Sequence, residues 1–68
     1  MNGYKLFLVS AVGERDGMAL ELASESGEQV AEVFEDDVTK QRTVAFFTAE
    51  PVPLPVVEWL LAEAARRL

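Results

Sequence analysis

The chain has 68 residues and carries 12 acidic against 6 basic side chains, for a net charge of -6, with neither histidine nor cysteine. Those two absences exclude disulfide bonds, thiolate zinc sites and every catalytic triad built on histidine. Half of the residues are hydrophobic, which is too many for an intrinsically disordered chain. We therefore expect a small folded domain with a restricted capacity for chemistry.

Four segments have the composition of β-strands. Residues 4–12 are rich in aromatic and β-branched types and are apolar on both faces, which favours a strand buried on more than one side. The other three strands are predicted at residues 18–23, 29–35 and 42–48. The short polar turns between them, at 13–17, 25–28 and 36–41, favour an antiparallel meander. In the third strand Glu32 lies between Val30 and Phe34, so the pattern leaves its inward face open.

A proline-rich connector and a helix follow the strands. The prolines of residues 50–55 hold the connector extended, and Pro55 suits the first turn of a helix predicted over about 54–68. At 100° per residue, the stripe expected to dock on the sheet consists of Leu54, Val57, Leu61, Ala64, Ala65 and Leu68. The predicted fold is therefore one α+β domain over residues 1–68, a four-stranded antiparallel meander followed by one C-terminal helix packed on one sheet face.

The sequence offers no convincing site for catalysis, a cofactor or a metal ion. Its serines have no histidine to activate them. The run Glu35-Asp36-Asp37 lacks the glycine and ligand spacing of a calcium loop, and Gly13 and Gly17 lack the rest of a phosphate-binding loop. We expect a protein that is not an enzyme and that holds no cofactor and no metal.

The negative charge is concentrated in one part of the chain. Residues 14–37 hold nine acids and one base, a charge of -8, whereas the remainder holds three acids and five bases, a charge of +2. Such a segment suits contact with a basic partner, although acidity can equally serve solubility. The expected contact surface consists of Glu21, Glu25, Glu28, Glu32, Glu35, Asp36 and Asp37.

Trp59 is a second candidate contact residue. On the same angular count, Val56, Trp59 and Glu63 point away from the docked stripe, and tryptophan is enriched among binding hot spots. The alternative is that Trp59 covers the sheet edge. The first and fourth strands also carry more apolar side chains than one helix can cover, so either the sheet curls around the helix or its far face meets a second chain.

In its small size, its acidity and its lack of catalytic residue types, the chain resembles small phage-encoded inhibitors, anti-CRISPR proteins among them, as well as antitoxins and immunity proteins. The resemblance implies a non-enzymatic inhibitor of a basic, nucleic-acid-handling partner, whose carboxylates lie where phosphates would bind. The alternative is a homodimeric structural or interaction module that associates through its sheet face or Trp59.

The remaining expectations concern surroundings and assembly. An acidic surface repels phosphate backbones and anionic lipids, so we expect no direct binding to nucleic acid or membrane. The sequence shows no targeting segment and no apolar run long enough to span a bilayer, which favours a cytoplasmic protein. We expect a monomer or a weak homodimer.

Overall fold

The computed structural model describes residues 1–13 and 15–68. It contains four strands and one helix, which are β1 (Lys5–Ala11), β2 (Gly17–Ala23), β3 (Gln29–Asp36), β4 (Arg42–Phe46) and α1 (Leu54–Arg67). The strands form one antiparallel sheet in the order β1-β2-β3-β4, and α1 packs against one of its faces. The predicted α+β fold is confirmed. The turn expected at 13–17 includes Glu14, which lies outside the described residues.

The core lies between α1 and the two central strands. Leu20 and Leu22 of β2 and Val33 of β3 are buried against Val56 and Leu60 of α1. Strands β2 and β3 are buried because each has a neighbour on both sides, whereas β1 and β4 form the sheet edges. Large apolar side chains of the edge strands therefore remain exposed, namely Phe7, Leu8, Val44 and Phe46.

A register shift decides which way the start of β3 faces. Leu22 pairs with Ala31, but Ala23 pairs with Gln29, so Val30 is an extra residue in the ladder. Such a bulge re-aims side chains locally, and both Val30 and Ala31 lie in the core beneath α1. Glu32, by alternation from Ala31 and Val33, lies on the sheet face opposite α1, which we call the open face.

Two residues shape the C-terminal end of β3, which lies opposite the bulge. Gly17 pairs with Asp36, and a Cβ at position 17 would overlap the Glu35 carbonyl oxygen and press on the Phe34 ring. Only glycine therefore lets β2 approach β3 so closely. Asp36 accepts hydrogen bonds on Oδ1 from the N–H groups of Val38 and Thr39, at 2.8 and 2.9 Å, and so shapes the turn into β4.

Helix α1 docks by a stripe that shares only Ala64 and Leu68 with the predicted one. Its buried residues are Val56, Leu60 and Ala64, whereas Leu54 and Leu61 of the expected stripe are 67% and 47% exposed. The connector sets this rotation, because Val52 packs on the core and Val56 continues that contact one helical turn later. Both stripes are apolar, so hydrophobicity alone does not predict which of them docks on the sheet. The prediction of Leu54, Val57, Leu61 and Ala65 as the docking face is wrong.

Candidate protein-binding surfaces

The acidic residues expected to form one contact surface lie in separate places. Glu25 and Glu28 are exposed in the β2–β3 turn, while Asp36 and Asp37 lie at the other end of β3. A strand of eight residues spans about 23 Å, well over the Debye length of about 8–10 Å at physiological salt. The two ends therefore present separate negative regions and not one patch.

Glu32 is unavailable to a partner. It is 4% exposed, and its two carboxylate oxygens accept hydrogen bonds from Nη1 and Nη2 of Arg15, at 2.7 and 3.3 Å. The Arg15 guanidinium also lies 4.3 Å from the centre of the Phe34 ring. The hydrogen bond from Arg15 to Glu32 raises the pKa of Arg15, and the nearby charges of Glu32 and Glu21 add to that rise. The expectation that Glu32 belongs to an external contact surface is therefore corrected: its charge is paired inside the chain.

Two further acids of the expected surface also make internal contacts. Glu35 accepts a 2.7 Å hydrogen bond from Nε of Arg42, on the same sheet face as α1. The N–H groups of Thr39 and Val38, in that order of effect, hold the pKa of Asp36 below its ordinary value. Glu21, half-buried, lies opposite Glu32 across the β2–β3 ladder. The exposed carboxylates of the expected surface are those of Glu25, Glu28 and Asp37.

Trp59 is partly buried and packs against the core. Val56, which was expected to point outward with it, is completely buried, and Glu63 is half-buried and paired with Arg66 at 2.7 Å. The predicted outward orientation is wrong for Val56, for the same reason as the docking stripe, whereas Trp59 is partly exposed and packs over its neighbours, as the alternative expected. Because the tryptophan covers core residues, it is a poor candidate for a free binding anchor.

The side of α1 that was expected to dock instead forms one wall of an open groove. Leu61, Ala64 and Ala65 line it on the helix. The sheet side is lined by Val33, Arg42, Thr43 and Val44. We call this the α1–β4 groove; its volume is about 230 Å³. Val44 and Leu61 are each about half exposed, which leaves the groove apolar and open to solvent. The signal for it was present in the sequence as a second apolar stripe on the helix.

The groove lies beside the unpaired edge of β4. The Phe47 N–H donates a hydrogen bond to the Val30 carbonyl, and the Gln41 carbonyl accepts one from the Asp36 N–H. Odd-numbered residues from 41 to 47 therefore direct their N–H and C=O groups toward β3. Antiparallel alternation then turns the N–H and C=O groups of Arg42, Val44 and Phe46 toward the free edge. An apolar groove and a row of unpaired backbone groups thus share one side of the molecule.

A second cleft, of about 200 Å³, lies near the β2–β3 turn. Its lining residues include Tyr4, Ser24, Ser26, Glu28, Thr48 and Glu50. The Ser24 and Ser26 hydroxyls are 2.9 Å apart and share one hydrogen bond, in which either can be the donor. With no histidine in the chain, these hydroxyls have no imidazole base to activate them.

No protein-family model, curated protein or solved structure matches this chain. Within residues 1–13 and 15–68, no three acidic side chains are placed to share a metal ion. Helix α1 has 14 residues, fewer than the roughly 20 needed to cross a bilayer, and the described chain forms no helix that could do so. Among the described residues, the α1–β4 groove and the free edge of β4 lie side by side.

Proposed function

We propose that this chain is a non-enzymatic protein-interaction domain that works as a homodimer through its α1–β4 side. The observation that supports the proposal most is the apolar α1–β4 groove beside the unpaired edge of β4. Exposed apolar surface of this kind commonly marks a protein–protein contact. The acidic residues support a binding site less well, because they are divided between the ends of the sheet and several are paired internally.

The energetics favour a weak dimer. Val44, Phe46 and Leu61 are each about half exposed, so burying the remainder contributes about 1 kcal/mol per side chain. Two copies together gain about 6 kcal/mol from these residues, before backbone pairing and before the entropic cost of association. Because that entropic cost is of the same size as these gains, we expect a weak dimer whose dissociation constant is no tighter than the order of tens of micromolar.

Sedimentation equilibrium over a concentration series tests this proposal. The monomer mass is 7.5 kDa, and we expect the mass to rise toward about 15 kDa as the concentration passes the dissociation constant. Leu61→Gln should weaken association, whereas Val12→Gln, which removes an exposed valine near the β1–β2 connection, should leave it unchanged. A mass of 7.5 kDa at every concentration would refute the homodimer.

The second candidate is the acidic inhibitor of a basic, nucleic-acid-handling protein, of the anti-CRISPR type. Its support is the net charge of -6 and the exposed carboxylates of Glu25, Glu28 and Asp37. Steering by such charges weakens as salt rises. This candidate predicts salt-sensitive competition with DNA for a CRISPR effector complex or a nuclease.

The matched variants for that candidate leave the internal ion pairs intact. Replacing Glu25 and Glu28 with glutamine and Asp37 with asparagine removes three exposed charges and spares Glu32 and Glu35. The inhibitor hypothesis expects this triple variant to lose competition at low salt. Competition that survives all three changes would place the binding surface elsewhere.

A further inference from the structure

We infer that two copies pair antiparallel along β4, centred on Val44, and that Phe46 of each copy enters the α1–β4 groove of the other. The inference rests on the proposed homodimer and specifies its geometry. The result is a continuous eight-stranded sheet with both helices on the same face. A two-fold interface of this kind makes every contact twice.

The backbone of β4 fixes the register. Its outward N–H and C=O groups belong to Arg42, Val44 and Phe46, so these residues form the hydrogen-bonded pairs with a second strand. With Val44 opposite the partner's Val44, Arg42 lies opposite the partner's Phe46 at each end. Three residues from each strand thus exchange up to six hydrogen bonds.

The side chains of this register match the surface that receives them. Arg42, Val44 and Phe46 lie on the same sheet face as α1, since their partners across the ladder are Glu35, Val33 and Ala31. Arg42 lines the α1–β4 groove, and it is the residue that faces the partner's Phe46. A groove of about 230 Å³ is large enough to receive one phenyl ring, against Val44 and Leu61. The half-exposed Phe46 supplies that ring.

The charges of the paired segment are compatible with self-association. Residues 42–49 contain no acid, so the net charge of -6 is carried elsewhere. Arg42 is neutralised by Glu35 at 2.7 Å, and its guanidinium can lie against the partner's Phe46 as a cation–π contact. The two copies of Arg42 lie four residues apart along the paired strands, about 13 Å, so their repulsion is screened.

The edge strand carries one charged side chain, Arg42, which is paired with Glu35, and lacks other features that normally prevent such pairing. Natural edges are blocked by proline, by an inward-pointing lysine or by a bulge. The segment 42–48 contains neither proline nor lysine, and its ladder with β3 is regular. Val44 opposite Val44 is a β-branched cross-strand pair of the kind that stabilises sheets.

A pair of neighbouring phenylalanines gives the first test. Phe46 is 50% exposed on the helix side of the sheet, and Phe47 is 52% exposed and turned by alternation to the other side. Phe46→Ala should raise the dimer dissociation constant at least about tenfold, while Phe47→Ala should change it less than about threefold. Equal effects, or a larger effect of Phe47→Ala, would overturn the inferred register.

Cysteine cross-linking provides the second test, because the chain has no native cysteine. Val44 and Leu8 lie in one row across the sheet at opposite edges, with similar exposures of 48% and 43%. Under mild oxidation we expect Val44→Cys to form a covalent dimer and Leu8→Cys to form none. If wild type dimerises but neither variant cross-links, the β4 inference fails and the α1–β4 homodimer stands. Cross-linking of Leu8→Cys alone would move the interface to the β1 edge and defeat both. A wild type that is monomeric at all concentrations defeats both.

Discussion

Arg15 and Glu32 form a two-pronged ion pair across the open face of the sheet, with Nη1 to Oε2 at 2.7 Å and Nη2 to Oε1 at 3.3 Å. Glu32 is almost completely buried, while the Arg15 side chain is half exposed. The pair ties the β1–β2 connection to the central strand β3 and covers the Phe34 ring. A loop side chain therefore covers the middle of the open face, and the helix covers the other face.

Removing one partner of this pair should cost more than removing both. Arg15→Met keeps apolar contact with Phe34 but leaves the Glu32 carboxylate without its donors, which is strongly unfavourable for a buried charge. We expect Tm to fall by roughly 5 °C or more. The double variant Arg15→Met, Glu32→Met should recover much of that loss. Thermal unfolding at a fixed protein concentration measures both, and an unchanged Tm for Arg15→Met would show that the pair is dispensable.

Asp36 should make stability depend on pH in the acid range. Its folded pKa lies below its ordinary value of 3.8, because the Thr39 and Val38 N–H groups hydrogen-bond to the charged carboxylate. The stability from this effect is complete above the ordinary pKa and is lost as pH falls through the lower folded value. Wild type should therefore lose stability between about pH 4 and pH 2 more steeply than Asp36→Asn. Asp37→Asn, at the adjacent exposed acid, is the matched control, and urea unfolding at several pH values gives the comparison.

The neighbouring residues Leu60 and Leu61 test the rotation of α1. Leu60 is fully buried, so Leu60→Ala should lower the free energy of unfolding by about 2–4 kcal/mol. Leu61 is about half exposed in the α1–β4 groove, so Leu61→Ala should cost less than about 1 kcal/mol when the chain is monomeric. Chemical denaturation at low protein concentration measures both variants. The reverse order would mean that the helix docks by the other stripe.

Gly17 should tolerate no side chain. A methyl group there would overlap the Glu35 carbonyl oxygen, which belongs to the backbone of β3 and cannot move without disturbing the sheet. We expect Gly17→Ala to destabilise the fold by about 2–3 kcal/mol. Gly27→Ala is the control, since Gly27 has φ of +93° but open space around it, and should cost about 1 kcal/mol through backbone strain alone. Urea midpoints separate the two; equal losses would exclude a steric cause at Gly17.

The sheet was predictable because its signals are local. Alternation, composition and turn residues are contained within segments of five to eight residues, as in β2 and β3. The inward face of β3 was not predictable, since the bulge at Val30 breaks alternation within the strand. The helix was recognisable from its apolar content and Pro55, but its rotation depends on Val52, which lies outside the helix.

The candidate site was less predictable, because its features depend on contacts between distant residues. Nothing local marks Glu32 as buried, since its partner Arg15 is 17 residues earlier in the chain. The acidic run looked continuous in sequence, but β3 separates Glu25 and Glu28 from Asp37. Helix α1 has two apolar stripes, and it docks on the sheet by the stripe that contains Val56 and Leu60. Leu61, on the second stripe, is therefore left to line the α1–β4 groove.

Amide hydrogen exchange at β4 tests the central claim most directly. In the monomer, the amides of Thr43 and Ala45 face β3 and the amides of Val44 and Phe46 face solvent. If β4 pairs with a second copy, the amides of Val44 and Phe46 should become protected as the concentration rises, while those of Thr43 and Ala45 are protected throughout. Rapid exchange of Val44 and Phe46 at concentrations where sedimentation shows a dimer would contradict the account.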